Sequence, residues 1–185
     1  ERQIIRLTGI NAPEIEYCNG PESKLALEKL ILNQNLYIKV IFRNGFRLVS
    51  YVYNQDGSVS EQMLKQGMAY YLSKDVSHPD LIQAGNKAKE AKLGIFSPKC
   101  TQETNPDNKV CVIKGNLRDP GGKDKTYHFP GCGQYNQTLV ELYKGDQWFC
   151  TETQAKKAGF TKGADCFDLT ISLTFSSSSF SLCSA

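Results

Sequence analysis

The residues with the clearest chemical potential lie in IIRLTGINAPEIEY, at residues 4–17. Arg6, Asn11 and Glu14 fall within nine positions there and combine a permanent cation, an amide and a carboxylate. A carboxylate can take a proton from water, and an arginine can hold two phosphate oxygens at once. The same stretch could also be only a strand edge followed by a turn, so the surrounding chain must decide between the two readings.

A strand and a helix would have to position these side chains. Residues 3–10 have the apolar pattern of a strand, and Pro13 follows it, where a proline cannot donate to a sheet. Proline and glutamate directly after Gly20 suit the first turn of a helix, which we expect to end at residues 33–35. Its predicted apolar stripe consists of Leu25, Leu27, Leu30 and Ile31.

Further elements are predicted along the chain. Residues 36–42 and 47–53 read as two strands joined by a turn at Asn44-Gly45. Ser58 or Ser60 would cap a second helix that buries Met63, Leu64 and Met68, and a third helix would span residues 78–92. The polar residues 99–109 read as a linker. After it we expect strands at 110–117 and 127–129, a helix at 151–159 and a low-complexity tail at 169–185.

Composition indicates a folded chain of 185 residues, since 40% of them are hydrophobic. The net charge of +3 is too small to indicate nucleic-acid binding by itself, and it arises in residues 1–99, which carry 13 basic and 10 acidic side chains. No apolar run is long enough to span a bilayer. Seven cysteines favour an oxidising compartment. We therefore expect a secreted or extracytoplasmic protein, with any signal peptide upstream of Glu1.

Four ordered motifs in the first half define a family resemblance: RLTGINAPE at 6–14, NGPES at 19–23, RLVSYVYNQDG at 47–57 and KAKEAKLGIFS at 87–97. In order and spacing they resemble the staphylococcal nuclease, or thermonuclease-like, family. The resemblance implies an OB-fold β-barrel with helices, of α+β class, over residues 1–98 and without its first strands. It also implies cleavage of DNA and RNA phosphodiester bonds with calcium.

The resemblance assigns roles to five residues. Arg6 and Arg47 would contact the phosphate, and Glu14 would be the base that activates water. Asn11 falls where the family has a calcium-ligating aspartate, and Ala12 where it often has a threonine near the metal. Two arginines flanking one carboxylate are chemically suited to hold a phosphate beside a base. The alternative is that both arginines pair with surface carboxylates.

Two departures from the family weaken the calcium expectation. Asn11 keeps an oxygen but lacks the charge of an aspartate, so Ca²⁺ should bind more weakly. The resemblance further implies a second metal-binding aspartate in strands upstream of Glu1. We therefore expect either that the sequence is a fragment or that the protein has lost those strands and, with them, its activity.

The second half resembles another small domain. VCVIKGNLRD at 110–119, TYHFPGCGQY at 126–135 and DQWFCTETQAKKAGF at 146–160 resemble the sunset domain that follows nuclease domains in some bacterial proteins. We place this domain at residues 110–168.

Cysteines and His128 could bind zinc, but without a CxxC pair zinc is the weaker expectation, and a Cys111–Cys150 disulfide is favoured. His128 is expected to be structural. The aromatic residues Tyr127, Tyr135, Trp148 and Phe149 are expected mostly to form the core, although they could stack on bases or sugars.

The leading prediction is a monomeric, calcium-dependent nuclease that acts on single-stranded DNA or RNA. A first alternative is a catalytically weak or inactive OB module that binds single-stranded nucleic acid through its arginines. A second is a surface-associated structural protein in which the aromatic small domain carries the function.

Overall fold

The structure is a computed structural model that describes residues 3–72, 78–118 and 122–167. The predicted tail at 169–185 lies outside the described residues. The first half contains β1 (Ile4–Leu7), β2 (Ile10–Asn11), α1 (Gly20–Ile31), β3 (Tyr37–Asn44), β4 (Arg47–Asn54), β5 (Gly57–Ser58), α2 (Val59–Lys65), β6 (Tyr70–Tyr71) and α3 (Pro79–Glu90). The rest of the described chain contains β7 (Thr101–Gln102), β8 (Ile113–Leu117), β9 (Lys125–His128), β10 (Val140–Glu141), β11 (Gln147–Phe149), α4 (Glu152–Lys157) and β12 (Thr161–Lys162). No helix in these ranges has the length and apolar character needed to cross a membrane.

The first three helices begin where local signals place them. Proline occupies the first turn of both α1 and α3, where its missing N–H costs no helical hydrogen bond. Ser58 caps α2, since its hydroxyl accepts a hydrogen bond from the Glu61 N–H at 3.3 Å. The hairpin between β3 and β4 turns at Gly45, whose φ of +58° suits a glycine.

The main sheet is open rather than the closed barrel that the resemblance implies. Its order is β1-β4-β3 with β5 also paired to β4, so β1 and β3 form its edges within the described residues. Every residue of β3 is exposed, and apolar Val40 and Phe42 are 48% and 50% exposed. The barrel is not closed because no described strand pairs with the outer edge of β3.

Helices pack against one side of this sheet. Met63 and Leu64 of α2 are buried as predicted, together with Val52 of β4. The prediction for α1 is wrong in one respect, because Leu25 is 55% exposed. The buried residues of α1 are the small ones, Gly20, Ser23 and Ala26, and at Gly20 the backbone of the preceding loop approaches the helix closely.

The C-terminal half, defined here as residues 110–167, forms its own sheet and core. The strand order is β11-β8-β9-β12, with β12 parallel to β9. A second hydrophobic cluster lies between this sheet and α4. The predicted strand at 110–117 begins only at Ile113, and β11 was not predicted. Thr151 and Gln154 form a capping box at the start of α4.

The linker and a small apolar cluster connect the first half to the C-terminal half. The structure confirms the predicted Cys111–Cys150 bond and adds Cys18–Cys100 and Cys132–Cys166. Within the predicted linker at 99–109, β7 pairs antiparallel with β10. The junction cluster has Ile95, Cys100 and Tyr143 as its buried members. The Cys18–Cys100 bond therefore ties the first half to the linker, the β7–β10 pairing joins the linker to the C-terminal half, and the junction cluster contains residues from both halves.

Candidate active site

The pairing of β1 with β4 places the two predicted arginines on one face of the sheet. In this parallel pair Ile4 lies opposite Arg47, and Arg6 lies opposite Val49. Side chains two residues apart on a strand point the same way, so Arg6 projects on the same side as Ile4 and its partner Arg47. The sequence places one arginine on each strand, and the register brings both to the same surface.

Both arginines line a cleft of about 310 Å³, named here the arginine cleft. Its other polar residue is Asn11, and Ala12 also lines it. The remaining lining is apolar and comes from β1, β2, α1, α2 and the hairpin residue Phe46. No carboxylate lines the cleft among the described residues, so its side-chain charge there is positive.

A chain of hydrogen bonds fixes the orientation of Asn11. The Arg6 guanidinium donates through Nη2 to Asn11 Oδ1 at 3.3 Å. Asn11 in turn donates through Nδ2 to the hydroxyl oxygen of Tyr70 at 2.7 Å. Asn11 and Tyr70 are opposite each other in the β2–β6 ladder. The amide oxygen of Asn11 is therefore directed at Arg6.

Within the described residues, the two arginines have no acidic salt-bridge partner. The Arg47 guanidinium carbon lies 5.6 Å from the centroid of the Phe46 ring, which is 67% exposed. Within the described residues, the alternative that both arginines pair with surface carboxylates is not supported.

Glu14 lies on the adjoining Glu14 loop, defined as residues 12–19, and its side chain is exposed. The loop turns through hydrogen bonds from the Tyr17 N–H to the Glu14 carbonyl at 3.0 Å and from the Gly20 N–H to the Tyr17 carbonyl at 2.9 Å. A Cβ atom at Gly20 would be 2.1 Å from the Glu14 carbonyl oxygen, so only glycine permits this approach. The structure therefore brings Arg6, Asn11 and Arg47 together in the cleft, and Glu14 does not line it.

The residues present do not by themselves fit a calcium ion. Ca²⁺ takes six to eight oxygen ligands, with carboxylates supplying charge. Asn11 offers one side-chain oxygen that already accepts from the Arg6 cation, and Ala12 has no side-chain donor atom. The described lining of the cleft therefore suits an anion better than a cation.

The cluster around His128 is arranged as a structural unit. His128 Nδ1 is 3.2 Å from Asp165 Oδ1, and the ligand atoms of His128, Cys132 and Cys166 lie within 4.8 Å of one another. The two sulfurs are bonded to each other, so neither is a free thiolate that could bind zinc. A hydrogen bond from the Gln134 N–H holds the pKa of the Asp165 carboxyl below its usual range.

The aromatic residues of the C-terminal half divide into two groups. Tyr127 and Phe149 are buried in the second cluster. Tyr135 and Trp148 are half-buried and line a separate cleft of about 350 Å³. The Trp148 indole donates to Gln102 Oε1 at 2.6 Å, and the Tyr135 hydroxyl donates to the Val112 carbonyl at 2.8 Å. Their polar atoms are thus engaged within the fold.

Sequence reasoning missed Tyr70 as a partner of Asn11. The two residues are 59 positions apart, and β6 is a two-residue strand with no measurable alternation. Only the tyrosine pair at 70–71 after α2 hinted at a strand there, because aromatic residues are enriched in strands.

Comparison with known proteins identifies the first half of the chain. The family described as staphylococcal nuclease homologue matches residues 4–98. A rice protein (Oryza sativa subsp. japonica), named a probable staphylococcal-like nuclease, is 34% identical over 94 residues, which are 50% of this chain and 26% of the relative. An uncharacterized endonuclease of Haemophilus influenzae is 29% identical over 94 residues, which are 50% of this chain and 53% of the relative.

A staphylococcal-like nuclease of Arabidopsis thaliana is 29% identical over 94 residues, covering 50% of this chain and 29% of that protein. The matched region thus spans about a quarter of the length of the rice relative and about half that of the Haemophilus protein. The family match ends at residue 98. The sunset-like assignment of the C-terminal half therefore stays a prediction.

Proposed function

The chain belongs to the staphylococcal nuclease homologue family, and on that premise we propose that it is a nuclease that hydrolyses phosphodiester bonds in the arginine cleft. The observation that carries the proposal is the pair of arginines, Arg6 and Arg47, which line one cleft on one face and have no described salt-bridge partner. Such a pair binds a phosphodiester through charge and through the planar fork of each guanidinium.

The proposed chemistry assigns one task to each polar group. Arg6 and Arg47 hold the non-bridging oxygens and stabilise the negative charge that grows on them in the transition state. Glu14 rotates from its exposed position to accept a proton from a water molecule as that water attacks phosphorus. The new P–O bond forms as the opposite ester bond breaks, and the departing oxygen takes a proton from solvent. Asn11 keeps Arg6 oriented through its amide oxygen.

We propose single-stranded DNA or RNA as the substrate. Phe46 lines the cleft beside Arg47 and is 67% exposed, so its ring is available to an unpaired base. Stacking of one base on an aromatic ring contributes about 1–3 kcal/mol and does not depend strongly on base identity. A base paired within a duplex would not be available for this contact.

Calcium dependence and an extracytoplasmic location are also proposed, with different support. Calcium is proposed from the family resemblance alone, and any Ca²⁺ would need oxygens from Glu14, water or the substrate phosphate beyond that of Asn11. The location is supported by the three disulfides, which persist mainly in oxidising compartments.

A second candidate is a module that binds single-stranded nucleic acid without cutting it. The position of Glu14 outside the lining of the cleft favours this alternative, because the arginines could then bind a phosphate with no base beside it. Both candidates predict binding through the arginine cleft, and only the first predicts hydrolysis.

The test combines binding and cleavage of a fluorescent single-stranded oligonucleotide by the full chain. Arg6→Ala and Arg47→Ala should each reduce cleavage by on the order of a hundredfold, because each removes a group that stabilises transition-state charge. Each should also weaken binding and reduce the slope of log affinity against log salt by about one. Calcium and chelator are compared in every assay.

Arg43→Ala is the matched control, because Arg43 is an exposed arginine on β3 that does not line the cleft. It should leave cleavage within about twofold of the wild type. Binding without cleavage by the folded wild-type chain would select the binding module. Equal losses of cleavage in Arg6→Ala, Arg47→Ala and Arg43→Ala would show that the arginine cleft is not the active site.

A further inference from the structure

The C-terminal half contacts the Glu14 loop and the partner of Asn11 through one short segment. We propose that the 141–145 turn, which contains Tyr143, Lys144 and Gly145, positions the candidate active site. The proposal rests on the proposed nuclease function and extends it, because it assigns to the C-terminal half a task in organising the catalytic groups.

The first contact joins Gly145 to the Glu14 loop. A Cβ atom at Gly145 would be 2.7 Å from Cζ and 2.8 Å from the hydroxyl oxygen of Tyr17, so the tyrosine ring rests directly on the glycine. Gly145 also has a φ of +96°, a backbone angle that residues other than glycine rarely adopt. Tyr17 closes the turn that begins at Glu14, since its N–H donates to the Glu14 carbonyl. The ring therefore supports the loop that carries the proposed base.

The second contact joins the turn to Asn11 through Tyr70. The rings of Tyr70 and Tyr143 lie 5.6 Å apart between centroids, and Tyr143 is buried. The Lys144 ammonium lies 5.5 Å from the centroid of the Tyr70 ring. Tyr70 accepts the 2.7 Å hydrogen bond from Asn11, which in turn accepts from Arg6. The orientation of the cleft amide thus depends on a ring that the C-terminal half holds in place.

Covalent and backbone bonds hold this turn against the first half. The Cys18–Cys100 disulfide ties the end of the Glu14 loop to the start of β7. The Leu142 N–H donates to the Cys100 carbonyl at 2.9 Å. The Tyr143 hydroxyl also donates to the Glu141 carboxylate. The turn is therefore connected to the first half through Cys100 as well as through its contacts with Tyr17 and Tyr70.

These contacts matter because only turns, and no helix or strand, hold the Glu14 loop in its conformation. Residues 12–19 contain no helix or strand, and Glu14 is exposed. A flexible loop would present its carboxylate in the reactive geometry only part of the time, and misplacement of a catalytic group by about 1 Å can cost on the order of a hundredfold in rate. Support from the 141–145 turn would hold Glu14 in the reactive geometry for more of the time and so reduce this loss of rate.

The test is Gly145→Ala with Gly159→Ala as the matched control. Both glycines have positive φ, +96° and +85°, so both alanines strain the backbone alike. A Cβ at Gly159 has no atom within 4 Å, whereas the one at Gly145 strikes Tyr17. Gly145→Ala should lower kcat by about tenfold or more and leave oligonucleotide affinity within twofold. Gly159→Ala should change neither. Tyr143→Leu, which removes the ring beside Tyr70, should act like Gly145→Ala.

Hydrogen exchange gives a readout that does not require activity. Amides of residues 14–19 should exchange at least tenfold faster in Gly145→Ala than in Gly159→Ala, and thermal melting identifies any variant that fails to fold. If Gly145→Ala fails to fold, Tyr143→Leu decides the result by the same exchange measurement. If the wild type does not cleave, the proposed function fails, and exchange alone decides whether the turn supports the loop. Equal exchange and equal kcat in the two glycine variants would overturn the proposal.

Discussion

Removal of the Cys18–Cys100 disulfide should destabilise the protein more than removal of either other disulfide. The bond joins residues 82 positions apart, whereas Cys111–Cys150 spans 39 and Cys132–Cys166 spans 34. The chain-entropy relation for a closed loop gives about 4.5 kcal/mol for the first bond and about 3.9 and 3.8 kcal/mol for the others. The double variant Cys18→Ala/Cys100→Ala should lower the free energy of unfolding by roughly that first amount.

Urea denaturation followed by circular dichroism measures this loss, with Cys111→Ala/Cys150→Ala as the control pair. The Cys18 and Cys100 variant should also cleave more slowly under conditions where it remains folded, because its Glu14 loop is no longer tied to β7. The control pair lies outside the arginine cleft and should retain the wild-type rate. A decrease of less than about 1 kcal/mol in the free energy of unfolding for the first pair would contradict this prediction, since it would mean that the bond does not restrict the unfolded chain.

Other predictions concern buried groups. Burial raises the pKa of Asp146 to about 6 from an ordinary 3.8, so its contribution to stability is fully present below pH 4 and is lost as pH rises through 6. In urea unfolding, this group should make the free energy of unfolding higher at pH 4 than at pH 7 by up to about 3 kcal/mol. The Asp146→Asn variant should lose this pH dependence. Gly115→Ala would place a Cβ 2.5 Å from the Phe149 ring and should lower stability by about 2 kcal/mol in urea unfolding. Ser60→Ala removes the 3.0 Å hydrogen bond to the Thr8 carbonyl. The free energy of unfolding should fall by about 1–2 kcal/mol, which a lower melting temperature would show.

Elements with strong local signals were predictable from the sequence. Pro21 and Pro79 locate the starts of α1 and α3, and Asn44-Gly45 locates the hairpin turn. The two-residue strands β6, β7 and β10 were not predictable, because two residues carry no periodicity. Their existence depends on partners far along the chain. Leu25 was misassigned to the buried stripe because helical spacing alone does not reveal which face a neighbouring loop covers.

The candidate site was predictable in its residue types but not in its geometry. The motif around Arg6 and the hairpin strand beginning at Arg47 suggested two phosphate contacts, and the β1–β4 register places both in one cleft. The close approach of Gly20 to the Glu14 carbonyl has no sequence signature beyond the glycine itself, and no local pattern shows that Glu14 lies outside the lining of the cleft. The partnership of Asn11 with Tyr70 depends on a nonlocal ladder, which one sequence does not reveal.

The most direct measurement is single-turnover cleavage of a saturating single-stranded oligonucleotide by the wild type, Glu14→Gln and Glu16→Gln. Glu16 is the matched control because it is an exposed glutamate in the same loop with no proposed role. We expect cleavage by the wild type, a loss of about a hundredfold or more in the rate for Glu14→Gln, and little change for Glu16→Gln. Equal rates for all three proteins, or no cleavage by the folded wild type, would contradict the proposed nuclease function.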